Sequence, residues 1–492
     1  MRLGEIMTLG RLFSGIADIP ANLRDKTVSG VTSDSREIAE NTVFVCIKGK
    51  SFDGHTAAQK AVLSGAAAVV TQDLLDIDGE INVKNTREIY PELLANFYGN
   101  PEKTLKICAV TGTNGKTTTV GICAGIMRAL GHKTGTVGTL GIDAGNGLVY
   151  SHDGPPTVPE PRKLAEIFAE MVKNGVEYCF VEASSQALAQ HRFPKNCFRA
   201  AAFTNLTRDH LDYHGTMENY FAAKRSLFDN SGAAVVNIDD DYGKKIAEYC
   251  RSKNIPLMTV SADGKADFYA ELAKCFPHGS QFVLTDETAE KSYPARFALT
   301  GEYNILNALL ACVLCKSLGF PLGDIVAALG KIEGVAGRLE TLYNGEFTVI
   351  RDYAHTEDGL LKLLGTLRPL TKNRLICVFG AAGERDAGKR PDMGRAAAEF
   401  SDYLIVTTDS PRHENPQDTI DGVAAGIPAG KPFEEFIDRE KAVIRALEMA
   451  QKGDVVALCG KGHEDYQAIG DEYFHFDERE IVAGYFGKNA RK

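Results

Sequence analysis

Short β-branched runs alternate with helix-sized segments along almost the whole chain. TVFVCI (42–47) and AAAVVT (66–71) predict strands near the start. LKICAV (105–110), EYCFVEA (177–183), RAAAFTN (199–205) and AAVVNI (233–238) follow. FTVIRDYA (347–354), RLICVFG (374–380), YLIVTT (403–408) and DVVALCG (454–460) come later. Runs that stay apolar instead of alternating belong to strands covered on both faces, and helix-sized spacers between them predict parallel sheets. The expected fold class is therefore α/β. A chain of 492 residues suggests three domains, at roughly 150 residues each. The Gly, Asn and Pro of YGNPEKT (98–104) predict one junction near 103, and the glycines of IEGVAGR (332–338) another near 334. The expected domains are 1–103, 104–333 and 334–492.

Composition narrows the function. Hydrophobic residues make up 44% and charged residues 24%, an ordinary globular balance that excludes a disordered chain, a collagen or a coiled-coil rod. The net charge of −10 argues against a broad basic face for nucleic acid. An anionic ligand must then be held by loop N–H groups, a few cations or a metal. The eleven cysteines fall mostly in apolar runs, as buried thiols of a reducing compartment do. Cys312 and Cys315 read as two small hydrophobes on a helix and not as half of a zinc site. No apolar run approaches membrane-spanning length, and MRLGEIMTLGRLFSGI lacks the continuous apolar stretch of a signal peptide. A cytoplasmic protein without a membrane span is expected.

One segment carries unmistakable chemistry. The strand LKICAV runs directly into TGTNGKTTT (111–119), and VGICAGIMRAL (120–130) then reads as a helix. A small-residue loop between strand and helix lets main-chain N–H groups converge on an anion at the helix N-terminus. Gly112, Thr113, Asn114, Gly115 and Thr118 would cradle phosphates, Lys116 would neutralise the β- and γ-phosphates, and the Thr117 hydroxyl would ligand Mg²⁺. The first glycine of the usual phosphate-loop spacing is missing, since Val110 stands five positions before Gly115.

TGTNGKTTT in this variant spacing resembles the muramyl (Mur) ligase superfamily, which includes the folylpolyglutamate synthetases. SDSR (33–36), KGKSFDGH (48–55), TNLTRDHLDYHGTMENY (204–220), KRSLF (224–228), GEYNILNALLA (301–311) and GVAGRLE (334–340) extend the match. So do DYAHT (352–356), FGAAGERDAGKRPDMG (379–394), DSPRHENP (409–416) and GKGHEDYQ (460–467). These segments occur in the family's order, cover nearly the whole chain, and are most similar to the MurE-type branch, which adds the third residue to the peptidoglycan stem peptide. The resemblance implies an N-terminal UDP-binding α/β domain, a central P-loop-type ATPase domain with a mostly parallel sheet, and a C-terminal Rossmann-like domain for the incoming amino acid.

It also implies roles. Glu182, at the end of EYCFVEA, becomes a Mg²⁺ ligand, and His210 the ligand of a second Mg²⁺. Lys224 reads from sequence alone as a surface lysine on a helix; the family carbamylates the lysine at this position with CO₂, turning a cation into a metal-positioning anion. Ser33, Asp34, Arg36 and the stretch Phe52, Asp53, Gly54 and His55 become candidate contacts to the uridine diphosphate. Thr157, Val158, Ser184, Gln190 and Arg192 are expected at the muramoyl-peptide end. Asn304, Arg338, Asp352 and His355 are expected around ATP. Arg385, Asp409, Ser410, Pro411, Arg412, Gly460 and Glu464 are expected around the amino acid. The implied reaction is ATP-dependent amide formation on UDP-MurNAc-L-Ala-D-Glu through an acyl phosphate, in a monomer without nucleic-acid partners.

Three positions depart from the family pattern: Val158 replaces a threonine, Gln186 a histidine and Ser410 an asparagine. Arg412 and Arg385 favour meso-diaminopimelate over L-lysine as third residue, because an extra carboxylate calls for bidentate arginine. L-lysine, another diamino acid, a folylpolyglutamate synthetase-like ligase and a non-catalytic nucleotide-binding paralogue are the alternatives.

Overall fold

The computed structural model describes residues 7–49, 52–149, 157–276 and 279–489. Lys50 and Ser51 of KGKSFDGH, Pro155 and Pro156 before Thr157, and the first six residues lie outside them. Three α/β units follow one another. The first holds four parallel strands in sequence order, Gly30–Thr32, Thr42–Val45, Ala68–Thr71 and Glu80–Asn82. The two middle strands are buried at every position, as their uninterrupted apolar runs require.

The second unit carries an eleven-stranded sheet. Its parallel core runs Leu257–Ser261, Ala234–Asn237, Phe198–Phe203, Lys106–Thr111, Tyr178–Glu182 and Thr134–Gly138. Antiparallel strands extend both edges. Gly279–Asp286 and Lys291–Phe297 fold back from Phe268–Phe276, and Gly141–Asp143 with Leu148–Val149 continue from Thr134–Gly138. The apolar-run pattern does not signal these flanks. Phe268–Phe276 pairs parallel with Leu257–Ser261 along its first residues and antiparallel with Gly279–Asp286. It is mostly exposed beyond its start, which an antiparallel flank tolerates and a doubly covered parallel strand does not. The helix Glu302–Ser317 is apolar nearly all round and packs on the helix Lys116–Ala129. Cys312 and Cys315 are fully buried within it, and ten of the eleven thiols are buried.

The third unit orders its strands Glu340–Asn344, Thr348–Asp352, Val455–Cys459, Leu375–Phe379, Tyr403–Thr407 and Phe433–Phe436. Only the first pair is antiparallel. A hairpin of Tyr466–Ile469 and Glu472–His475 projects from it. Arg439 is fully buried and ties two of its strand ends together. Its guanidinium donates to the carbonyl oxygens of Thr408 (3.3 Å) and Cys459 (2.7 Å) and pairs with the equally buried Glu478 at 2.8 Å. Among the described residues no helix is long and apolar enough to cross a membrane.

Open α/β sheets bind ligands beyond the carboxyl ends of their strands. Glu182 and Asp352 are the last residues of their strands, and Gly460 follows directly on Val455–Cys459. The carboxyl ends of the second and third sheets meet across one cleft of about 550 Å³.

Candidate active site

The phosphate loop forms because two glycines allow it. Gly112 (φ 152°) and Gly115 (φ 86°) lie at backbone angles that L side chains rarely adopt, and a Cβ at Gly112 would run into the Thr204 hydroxyl. Lys116 opens the helix and donates to the carbonyls of Gly112 (3.0 Å) and Thr113 (2.8 Å). Lys224, only 1% exposed, donates to the same Gly112 oxygen at 2.7 Å. Two ammonium groups thus share one carbonyl acceptor. Burial lowers the Lys116 pKa, and burial followed by the Lys116 charge pushes Lys224 far down. Such a pair is relieved by an anion arriving between them or by one amine losing its charge.

The reading of Lys224 as a surface lysine therefore fails. The side chain points inward from the helix Met217–Asp229, over the ring of Tyr220. Thr216 caps that helix by accepting from the Asn219 N–H, which fixes the face it turns to the loop.

Glu182, 1% exposed, accepts from the Thr117 hydroxyl (2.8 Å) and from the N–H (2.8 Å) and hydroxyl (3.0 Å) of Thr139. His210 takes φ 55° at the start of a short helix, and its Nε2 lies 3.6 Å from Asp209. Burial brings the His210 pKa down to about 4, so the ring is neutral and able to ligand a cation. Burial alone would raise the Asp209 carboxyl, but His210, Lys389 and His355 hold it at about 2. Among the described residues no three His, Cys, Asp or Glu side chains converge as a metal nest. The donors at hand are a carboxylate, a hydroxyl and a neutral imidazole. That set fits Mg²⁺, which keeps few protein ligands and completes its shell with water and substrate phosphates.

Asn304, Arg338, Asp352 and His355 all line the same cleft. Asn304 is held by Thr300 and Asn307, and Asn307 in turn packs against Gly115. Arg338 lies 4.7 Å from the ring centroid of Tyr353. Asp352 accepts from the N–H groups of Leu339 and Ala354. His355 donates from Nδ1 to the Tyr353 carbonyl at 2.8 Å, which leaves Nε2 as the lone-pair nitrogen. Asn114 of the phosphate loop reaches Asp358 of the third unit at 2.7 Å, and Lys389 approaches Asp209 at 3.9 Å. The second and third units are closed upon each other at the nucleotide end.

Arg385, Asp409, Ser410, Arg412, Gly460 and Glu464 line the cleft from the side of the third unit. Pro411 is buried behind them. Arg412 takes φ 54°, a conformation costing about 1–2 kcal/mol in a non-glycine residue. It is held there by Arg412 N–H to Ala468 O (3.0 Å) and Gly470 N–H to Arg412 O (2.9 Å). Its buried Nε has no partner among the described residues. Sequence reasoning missed the hub of this side. Lys461 is fully buried and contacts Asp409 (3.1 Å), Glu464 (3.0 Å) and the Ser410 hydroxyl (3.0 Å). Burial opposes its charge, but the two carboxylates outweigh that and raise its pKa. The GKGHE segment offered a signal, a lysine between two glycines. Thr139, Asn307, Tyr353 and Lys389 also line the cleft without having been singled out.

The peptide end is divided. Thr157 and Ser184 line the cleft, as does Gln186. Val158 is turned into the apolar cluster with Val181 and Ala183, so a valine there suits its surroundings. Arg192 is buried and committed: it pairs with Glu160 (2.5 Å), donates to Gln190 Oε1 (3.0 and 2.7 Å) and bonds the Val158 carbonyl. Its visible action is to hold the 158–160 segment in place. The predicted uridine contacts lie in the first unit, outside this cleft. Asp34 and Arg36 form an exposed pair at 2.6 Å, which holds the Asp34 pKa near 2. Phe52 is exposed. Ser33 stands beside Tyr90. His55 uses both ring nitrogens, Nδ1 with Asp53 (2.7 Å) and Nε2 accepting from Gln72 N–H (3.2 Å), and Gly54 packs against Ile47.

Comparison with known proteins agrees with this arrangement. Three family models match in chain order: "Mur ligase family, catalytic domain" over residues 27–100, "Mur ligase middle domain" over 110–315, and "Mur ligase, glutamate ligase domain" over 337–462. The UDP-N-acetylmuramoyl-L-alanyl-D-glutamate–2,6-diaminopimelate ligase of Clostridium perfringens is 38% identical over 97% of this chain and 99% of its own length. Its namesake from Geobacillus kaustophilus is 41% identical over 91% and 93%. A solved structure of a ligase of the same name superposes with a TM-score of 0.73 at 30% identity, covering 99% of this chain and all of that one. With three family models matched in chain order and relatives matched over nearly their whole length, the chain belongs to the Mur ligase family.

Proposed function

We propose that this protein is the ATP-dependent ligase that joins meso-diaminopimelate to UDP-MurNAc-L-Ala-D-Glu in peptidoglycan precursor synthesis. The observation carrying this reading is a single cleft lined both by the phosphate loop and by Arg412, Gly460 and Glu464. The relatives named for this reaction match along their full length.

The reaction has two stages. A free carboxylate oxygen of D-glutamate attacks the γ-phosphorus and ADP leaves. The amine nitrogen then attacks the acyl carbon, phosphate leaves, and one proton is lost. Both stages bring anions together, so the protein's task is positioning and charge compensation. Lys116 and the loop N–H groups take the phosphates. Glu182, Thr117 and His210 are the residues to hold Mg²⁺, which when bound spreads the charge developing on the phosphoryl oxygens. Asn304, Arg338, Asp352 and His355 form the nucleotide wall. Arg385, Arg412, Asp409, Ser410, Gly460 and Glu464 receive the amino acid. Closure through Asn114–Asp358 keeps water from the acyl phosphate. The first unit, residues 1–103, carries the UDP end on Ser33, Asp34, Arg36 and the Phe52–His55 stretch; 104–333 and 334–492 complete the assignment.

Lys224 is assigned as the carbamylated lysine. A depressed pKa leaves a neutral amine, whose nitrogen attacks CO₂; an N–C bond forms and a proton goes to solvent. The product turns the like-charge pair with Lys116 into an opposite-charge pair.

An ADP-release assay with UDP-MurNAc-L-Ala-D-Glu and a panel of amino acids tests the function. Turnover is expected with meso-diaminopimelate and only background with a folate acceptor. No release with any amino acid would overturn the reading. In the same assay Glu182→Ala is expected to raise the Mg²⁺ concentration for half-maximal rate at least ~10-fold, through loss of a hard oxygen ligand. A wild-type Mg²⁺ profile would return Glu182 to a structural carboxylate.

A further inference from the structure

Thr139 occupies an unusual junction. It follows the strand Thr134–Gly138, whose neighbour in the sheet is Tyr178–Glu182. Its N–H reaches Glu182 Oε1 (2.8 Å) and its hydroxyl Glu182 Oε2 (3.0 Å), so one residue grips both carboxylate oxygens. The preceding Gly138 has no room for a side chain, since a Cβ there would collide with that same carboxylate. The other contact to Glu182 is the Thr117 hydroxyl. A carboxylate with free rotation samples many orientations, and this one is fixed by three donors in a fork.

The third unit reaches the same residue. His463, buried in the loop after Val455–Cys459, brings its ring up to the main chain of Thr139. Its Nδ1 is buried without a hydrogen-bond partner among the described residues. The ring is held against Tyr353 at 5.3 Å between centroids, and Tyr353 carries the Arg338 guanidinium. Gly337 lies tight against the His463 main chain, which leaves the loop little freedom. A chain of contacts therefore runs from the third unit through His463 and Thr139 to Glu182 and Thr117.

We infer that Thr139 is a positioning residue which orients the Glu182 carboxylate for the cation and that His463 makes this orientation depend on closure of the C-terminal unit. The inference rests on Glu182 being a metal ligand, as proposed above. It gives the closed state a chemical consequence. Phosphoryl transfer is supported only when the amino-acid unit has docked and His463 has drawn the Thr139 main chain into place. ATP is then not spent in the open state.

Thr139→Val keeps shape and N–H and removes the hydroxyl, while Thr139→Ser retains it. The experiment measures the Mg²⁺ dependence of ADP binding by titration calorimetry, without turnover, and of ADP release. Loss of an outer partner of a metal ligand typically costs 10–100-fold in metal affinity. Thr139→Val is expected to need ~10-fold more Mg²⁺ in both measurements, with the KM for the UDP-linked dipeptide unchanged and Thr139→Ser near wild type. His463→Leu is expected to shift the Mg²⁺ requirement in the same direction. In the double variant the two shifts should fall short of additive, as coupled residues do. Wild-type Mg²⁺ dependence in Thr139→Val, with Glu182→Ala strongly shifted, overturns this inference alone; wild-type dependence in both overturns the ligand assignment beneath it. Should Thr139→Val fail to fold, His463→Leu decides, and a wild-type Mg²⁺ profile there overturns the coupling.

Discussion

Lys224→Ala is expected to lower turnover by ~10²–10³-fold, the cost of deleting a charge aimed at the reacting phosphoryl group, and added short-chain carboxylic acids are expected to restore part of it. Lys224 is only 1% exposed and forms no salt bridge among the described residues; it shares the Gly112 carbonyl with Lys116, with the Asp209 carboxylate easing its charge. A second ammonium in that place adds repulsion and no catalysis. A carbamate there becomes an anion facing Lys116, able to support a metal near the γ-phosphate. Truncation to alanine opens a space lined by Tyr220 and the loop, and a small diffusible carboxylate can enter with the charge the carbamate carried. Lys224→Arg keeps the wrong sign of charge and cannot react with CO₂, so it should be as inactive as alanine and resist rescue. The measurement is ADP release against acid concentration for both variants. Near-wild-type activity in either sinks the carbamate assignment. The pH behaviour has a definite sign. The carbamate forms from the neutral amine, and burial beside Lys116 lowers the Lys224 pKa strongly; the neutral form is thus available at lower pH than for an ordinary lysine.

How much of this the chain discloses depends on what each residue answers to. The apolar runs from TVFVCI to DVVALCG each coincide with a buried strand, because burial on both faces leaves no other composition open to them. The flanking strands Phe268–Phe276 and Lys291–Phe297 were illegible for the opposite reason: both lie largely open to solvent, so charged residues occur within them, and Pro294 in Lys291–Phe297, the strand at the sheet's edge. At the site, the phosphate loop was readable because its glycines answer to local backbone geometry. Lys224 was not, since whether a helical lysine points out or in depends on what the helix packs against. Lys461 and Thr139 were hidden likewise. Each acts on groups distant in sequence, Lys461 on Asp409 and Thr139 on Glu182. That Val158 packs among apolar neighbours is likewise a tertiary fact.

Arg412→Ala is expected to raise the KM for meso-diaminopimelate by ~10–100-fold, the 1.5–3 kcal/mol of a hydrogen bond to a charged group, and to leave ADP binding unchanged. Diaminopimelate differs from lysine by one carboxylate at the far end of the side chain, and that anion needs a fixed cation. Arg412 is fixed: its left-handed backbone is locked to Ala468 and Gly470, and its buried Nε has no partner among the described residues. The nearby Lys461 cannot substitute, because Asp409, Glu464 and Ser410 already occupy it. Ser410 sharpens the test. Its hydroxyl oxygen lines the cleft and accepts from the Lys461 ammonium (3.0 Å) and the Ala468 N–H (3.2 Å). The asparagine that the family resemblance leads one to expect here would offer the ligand an amide, where the serine has one O–H left to donate. Arg412 therefore carries more of the discrimination here, and Ser410→Asn is expected to tighten diaminopimelate binding without altering the preference for it over lysine. The decisive measurement is kcat/KM for meso-diaminopimelate and L-lysine in wild type and in Arg412→Ala. The wild type should favour diaminopimelate strongly and the variant should lose most of that ratio, since lysine has no second carboxylate to miss the guanidinium. Equal or better use of lysine by the wild type refutes the assignment.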